Sequence, residues 1–556
     1  MTDPLLRLRR LSAALVLPLA ATALVACGGS DSAATASDAG GSTTAATAAA
    51  TPTRSSGGDG SGGTLVIGST GATLPNPDTL IGGNGWEGTR FVANQIYDQL
   101  VRWDLTDDAA VPRIVPSLAT SWRTDSAGTT WTLELRRDVR FHDGTPFDAD
   151  AVVFNFDRYL DDRSEFFSEA TIGDVGLYAG LFAGARKVGP YSVEITTRGR
   201  DGHFLNDLTY IPIASPAGVR KSGNAGFARA PVGSGPFRFA SQSSQQLELV
   251  RNAGYWAGAP KLDKLILKPL PDASARIAAL RSGEVNWIEY PNPDDVPGLR
   301  DAGFQIVSNN YDHVWQITFD QSQRPWDDVR VRQAANYAVD REAIANDLLH
   351  GTADPAEQVA PRGTFAYDPA GDRYAYDPEK ARALLAEAGY GDGVKVTIAV
   401  PTGGSGNLIP IPIAEKIQQD LRAVGIDAEL KTADFDTLMK FMAEGRVALG
   451  ASAQAGSTPL FASDAIFALS VKSDSPWFVG NPTGRSVDAL VDRAAATVDD
   501  GAREQTYAEA ARALTEEARF LTVVNDRNSR ALAPTVHGFV QPQSWFLDLT
   551  QVWVGQ

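Results

Sequence analysis

The sequence predicts an α/β body of several lobes, set behind an N-terminal segment that does not join the fold. Three observations predict it. TWTLELRRDVRF alternates Trp131, Leu133 and Leu135 against Thr132, Glu134 and Arg136, the period-2 mark of a half-buried strand. YDPEKARALLAEAGY (376–390) reads as a helix, with Asp377 at the N-cap, Pro378 at the first helical position and Gly389 as the stop. IAEKIQQDLRAVGIDAEL (413–430) gives the same order of helix, glycine stop and strand. Mixed strands and helices with 32 prolines in the connecting segments fit sheets layered with helices.

Length and composition agree. At roughly 150 residues per domain, 556 residues hold three or four domain equivalents and more than one core. Hydrophobic residues at 43% and charged residues at 21% exclude a collagen, a polytopic membrane protein and a wholly disordered chain. The net charge of −17 argues against nucleic acid as a partner, because a phosphate backbone calls for clustered Lys and Arg. One cysteine and five scattered histidines give no metal-ligand spacing, and no cofactor is expected.

Taken in order, residues 1–27 read as a secretory signal. Arg7, Arg9 and Arg10 form its basic start, and Leu11 to Leu24 is apolar and too short for a membrane span. It ends in Leu24-Val25-Ala26-Cys27, which resembles the bacterial lipobox, in which the cysteine is diacylated and becomes the first mature residue. An acidic body does not cling to anionic lipid, so the lipid at Cys27 would be the anchor. Residues 28–63 are almost all Gly, Ser, Ala, Thr and Asp, with no aromatic residue. They predict a flexible tether reaching on the order of 30 Å.

The folded texture begins at Thr64. TLVIGST is a strand candidate, and TRFVANQIYDQLV (89–101) has helical spacing at Phe91, Ile96, Tyr97 and Leu100. In FHDGTPF, Asp143-Gly144 predicts a tight turn and Pro146 a stiff exit before a helix starting near Asp148. Gly233, Gly235 and Pro236 predict another turn, entering a strand at Phe237. Arg330 and Arg332 with Asp327 and Asp328 predict a charge network at a helix start.

Several of these blocks together resemble family 5 extracellular solute-binding proteins, the dipeptide, oligopeptide and nickel-binding components of ABC importers. The first is ATSWRTDSAGTTWTLELRRDVRFHDGTPFDADAVVFNFDR (119–158). PVGSGPFRF (231–239), LVRNAGYWAGAPKLDKL (249–265), ALRSGEVNWIEY (279–290), PWDDVRVRQAANYAVDREAI (325–344) and the two helical units follow in the family's order. The resemblance implies a two-lobed periplasmic-binding-protein-like fold with an extra domain, closing on its ligand about a hinge. It divides the body into domain I (64–98, 222–312 and 526–556), domain II (99–221) and domain III (313–525).

Four segments fall where such proteins line the cleft. Gly83-Asn84-Gly85-Trp86-Glu87-Gly88 spells G-x-G-x-x-G. The nearest strand ends near Ser69, whereas a dinucleotide turn leaves its strand directly, so a nucleotide is rejected. Trp86 is expected as a stacking face and Glu87 as the partner of an amine, against the alternative of a loop packed on its own lobe. Tyr290 and Asn292 form the second segment. Tyr311, His313 and Trp315 form the third, three rings alternating on one strand, with aromatic core as the competing reading. Arg362, able to hold a carboxylate bidentately, is the fourth, with a surface arginine as the competing reading.

Peptide-binding relatives carry an acidic residue in a D-x-P-D-P-like stretch that pairs with the peptide's ammonium. ALGASAQAGSTPL (448–460) stands at that place with no acid before Asp464. Gln454 is expected as a neutral substitute, or Glu87 as the acid from elsewhere. The resemblance therefore implies a monomeric, lipid-anchored receptor at the cell envelope, facing the periplasm or the exterior. It would pass a peptide or peptide-like solute to an ABC permease. The alternatives are a non-peptide solute (an oligosaccharide, opine-like conjugate or metal chelate), a surface hydrolase, or an adhesion or chaperone module. No G-x-S-x-G, H-E-x-x-H or G-x-x-x-x-G-K-[ST] motif supports an enzyme.

Overall fold

Trp131, Leu133 and Leu135 all enter one core with less than a tenth of their surface exposed, as their alternation requires. Their strand, Thr130–Leu135, lies in a four-stranded antiparallel sheet in the order 119–124, 130–135, 192–197, 182–189. The helix Ala149–Leu160 covers it with Val152, Phe156 and Tyr159. Asp148 caps that helix by accepting from the Ala151 amide at 3.1 Å, and Gly144 takes a φ of 85° in the turn before it. The structure, a computed structural model, describes residues 60–71, 73–78, 85–167, 182–364, 366–371, 373–404, 406–459, 464–473 and 485–556. Cys27, the signal and nearly all of the tether lie outside them.

A seven-stranded sheet runs in the order 237–242, 247–251, 264–269, 64–69, 287–289, 530–532, 305–307. Thr64–Ser69 is parallel to Lys264–Pro269 and Trp287–Glu289, and Trp287–Glu289 is antiparallel to Arg530–Leu532. A six-stranded sheet follows the order 353–355, 520–526, 313–319, 453–459, 394–401, 426–433. Its largest core includes Trp315, Ile317 and Phe319 with the helices Val329–Ala338, Pro378–Glu387 and Pro410–Ala423. Asp377 caps the second of these through the Lys380 amide at 2.9 Å.

Two expectations change. The helix predicted over 89–101 begins at Gly85 and ends at Ile96. Beyond it, Asp98–Gln99 pair with Pro212–Ile213, and Val101–Trp103 pair with Ile114–Pro116, so strand partners override the local helical spacing. At 327–332 only Asp328 and Arg330 form the charge pair, with Asp328 also capping the helix. Arg332 is buried and donates to the carbonyls of Trp326, Glu517 and Ala518. It ties the helix Val329–Ala338 to the residues after the helix Asp500–Glu516.

The two large sheets exchange chain at two places. The backbone leaves the seven-stranded sheet after Val307 and enters the six-stranded sheet at His313. It returns between Asp526 and Arg530. The crossings are tied together, since the Asn309 amide donates to the Arg527 carbonyl at 2.8 Å. Far along the chain, Gly202 donates its amide to the Ala495 carbonyl at 2.8 Å, and the His203 ring meets Tyr507 edge-on at 5.5 Å.

Candidate functional site

The crossings carry a stack of rings. Tyr311 and His313 stack at 4.6 Å, and His313 stacks on Trp545 at 4.6 Å. Tyr290 lies 6.4 Å from Trp545, with its hydroxyl 3.4 Å from that of Tyr311. The Arg90 guanidinium stands over the Trp545 ring at 4.5 Å. His313 is held by its own lobe, with Ser457 Oγ of the neighbouring strand 3.2 Å from its Nδ1 and the Gly406 backbone against its ring. Gly406 has a φ of 78°, so glycine serves both its turn and this close approach. Burial, with Arg90 nearby, pushes His313 down to about 3; the ring is therefore a neutral stacking surface at physiological pH.

Under the rings lies a buried charge network. Glu289 accepts from Arg90, from Arg530 at 2.8 Å and from the Trp287 indole at 2.6 Å. Burial pushes the Glu289 carboxyl up, but Arg530 and Arg90 more than offset it and hold it below the ordinary carboxylate value. Asp526 accepts from the Tyr311 hydroxyl and from the Asn528 amide at 2.8 Å, and burial pushes it up to about 6. The network fixes the rings from below, since Arg90 supports Trp545 and Asp526 orients Tyr311.

The structure thus brings Tyr290, Tyr311 and His313 together. Glu87 joins the network rather than an open site: it accepts from the Thr70 amide at 3.0 Å and hydroxyl at 2.6 Å, and stands 3.6 Å from Arg90. Burial still raises its carboxyl above the usual value. With its oxygens committed, Glu87 is not a free partner for an amine. Trp86 belongs to the short helix Gly85–Gly88 instead of a loop, and its side chain lies outside the described residues. Asn292, half-buried, opens the turn Pro293–Asp295.

Three residues fall elsewhere. Trp315 is fully buried in the six-stranded lobe, its indole donating to the Asn407 carbonyl at 3.2 Å; it is core, the competing reading of its strand. Gln454 pairs with Thr318 while His313 pairs with Pro459. Five residues of strand, roughly 17 Å, separate it from the stack, and its oxygen accepts from the Ala448 amide. Arg362 is exposed, 5.5 Å from the Tyr367 ring, on a turn where Gly363 approaches Gln543.

Sequence reasoning missed Arg90, Glu289, Asp526, Arg530 and Trp545. A signal existed for two of them. Glu289 ends an apolar run, Val285 to Ile288 broken only by Asn286, and Arg530 precedes Ala-Leu-Ala, so each puts a charge where a strand buries both faces. Nothing local marks Trp545, which meets the stack from the C-terminal segment.

The model of the bacterial extracellular solute-binding proteins, family 5 Middle, matches residues 113–474. Heme-binding protein A of Haemophilus influenzae is 31% identical over 481 residues, covering 82% of this chain and 86% of the relative. The dipeptide-binding protein of Escherichia coli strain K12 is 27% identical over 505 residues, covering 86% and 92%. The structure of HbpA2 from Haemophilus parasuis superposes with a TM-score of 0.75 at 25% identity, over 89% of this chain and 100% of that one.

Proposed function

From the premise that this chain belongs to the family 5 bacterial extracellular solute-binding proteins, we propose that it captures a peptide or peptide-like solute between its lobes. It delivers that solute to the membrane subunits of an ABC importer, outside the cytoplasm. The observation that carries this reading is the ring stack at the crossings, where Tyr290 and Trp545 of one lobe meet Tyr311 and His313 at the junction. Tyr311, His313 and Trp545 are buried as the lobes stand, so parting of the lobes would uncover them as a broad apolar grip and closure would remove water around the solute. The sheet changes at 308–312 and 527–529 support the boundary between domain I and domain III, with a hinge that the chain crosses twice.

The anchor belongs to the same proposal. Diacylated Cys27 holds the body at a bacterial membrane through the 28–63 tether, and the receptor acts as a monomer. Native mass spectrometry of the purified body, followed by identification of the co-purified molecule, tests the solute class. Deleting the gene should abolish uptake of that molecule, and unchanged uptake would count against the transport role. A non-peptide solute is the second reading, favoured by the missing acid in 448–459 and by a relative named for binding heme.

A further inference from the structure

Asp312 stands in the first crossing, between Tyr311 and His313 of the stack. Its side chain makes no hydrogen bond or ion pair with another described residue; its own backbone amide is its single partner. Burial pushes its carboxyl up to about 6, and among the described residues no guanidinium or ammonium pulls it back. It is half-buried rather than sealed. Two residues earlier, the side-chain oxygen of Asn310 is buried without a hydrogen-bond partner among the described residues.

Tyr210 is the described residue whose electrostatics register Asp312. Its ring meets Phe546 at 5.6 Å, and its hydroxyl is pushed well above its ordinary value by burial and then by the charges of Asp312 and Asp207. Asp312 is thus within electrostatic reach of Tyr210, and no hydrogen bond or ion pair joins it to the Arg90–Glu289–Arg530 network. An isolated carboxylate in such a place is costly, as is an orphaned amide oxygen. Both groups accept and neither donates, so the partner they lack must bring N–H groups, and the carboxylate calls for positive charge. A metal fits less well, because no group of three ligating side chains occurs among the described residues.

We propose that Asp312 and Asn310 form the subsite for a cationic nitrogen of the solute, an ammonium or guanidinium group. Asp312 supplies the countercharge and Asn310 Oδ1 a second acceptor. The inference rests on the solute-binding reading and deepens it. It also answers the absence of an acid from 448–459, and it assigns the role to the hinge crossing instead of to Glu87, whose oxygens are taken.

The test uses the purified mature chain and calorimetric titration with two probe pairs. These are tri-alanine against N-acetyl-tri-alanine, and butylguanidine against butylurea. The expected result is that wild type binds at least one cationic probe ten times or more tighter than its neutral counterpart. Asp312→Asn should remove that preference, with a loss of roughly thirtyfold or more in affinity for the cation, and Asn310→Ala should weaken it several-fold. Asp312→Asn keeps the shape and breaks no bond to another residue, so its melting temperature should stay or rise, which separates lost binding from lost folding. Equal binding of the cationic probe by wild type and Asp312→Asn would overturn the proposal. So would a wild type without preference for either cationic probe, or a co-purified solute lacking a basic nitrogen, though both leave solute binding intact. A preparation that carries no small molecule and binds none of the four probes would overturn both readings.

Discussion

Glu289 and Arg530 face each other in register across adjacent antiparallel strands, and their side chains pair at 2.8 Å with neither exposed. Arg530 lies on the strand that the chain enters on returning from the six-stranded sheet. The pair therefore fastens the second crossing to the seven-stranded sheet, while Arg90 on the other side of Glu289 carries the restraint to Trp545. Removing one partner of a buried pair leaves an uncompensated charge. Glu289→Gln should cost about 3–5 kcal/mol in urea unfolding. A loss below about 1 kcal/mol, the range of exposed pairs, would show that the network does not hold the crossing.

His313 sets a pH dependence with a definite sign. Its folded value is lowered to about 3, so between there and the ordinary histidine range the unfolded chain binds a proton that the folded chain refuses. Its contribution to stability is complete above about 6.5 and declines as the pH falls toward 3, by about 1.4 kcal/mol per pH unit. Asp526, raised to about 6, acts the other way, favouring the folded state as pH falls through 6. A His313→Gln variant retains the Asp526 component, so the wild-type minus variant difference isolates the histidine. That difference should shrink or reverse between pH 7 and pH 5 in parallel urea titrations. A difference that stays constant over the interval would mean that the ring is not kept neutral by burial.

The contact between Gly202 and Ala495 should govern closure. A β-carbon at position 202 would run into the Thr497 carbonyl, and the Gly202 amide bond would be lost with it. Gly202→Ala should leave each lobe folded and displace the open–closed balance toward open. A larger radius of gyration by X-ray scattering, with faster solute release, is the expected outcome. Identical scattering profiles for variant and wild type would show that this contact does not set the balance.

The anchor is tested at one atom. Cys27→Ser removes the thiol that diacylation requires, so labelled palmitate should not enter the protein and the body should leave the membrane fraction. Incorporation of label into the serine variant would exclude Cys27 as the attachment point.

The sequence by itself determined most of the local elements and, through its resemblance, the family. Alternation at 130–135, the helix start near Asp148, the cap at Asp377 and the ordered blocks from 119 to 430 depend on neighbours a few residues apart, and the structure keeps them. The resemblance also singled out Tyr290, Tyr311 and His313, because their segments fall where such proteins line the cleft. Only the tertiary structure decided what these side chains touch. Trp315 reads like His313 in the alternation, yet one lies in a lobe's core and the other against Trp545, more than two hundred residues away in the chain. Glu87 and Asp312 are both acids beside aromatic residues. Long-range packing gives Glu87 to Thr70 and Arg90, and leaves Asp312 without a side-chain partner among the described residues. The physical reason is that hydrogen bonds and burial depend on distance in space, while sequence patterns report only on segments that pack within themselves.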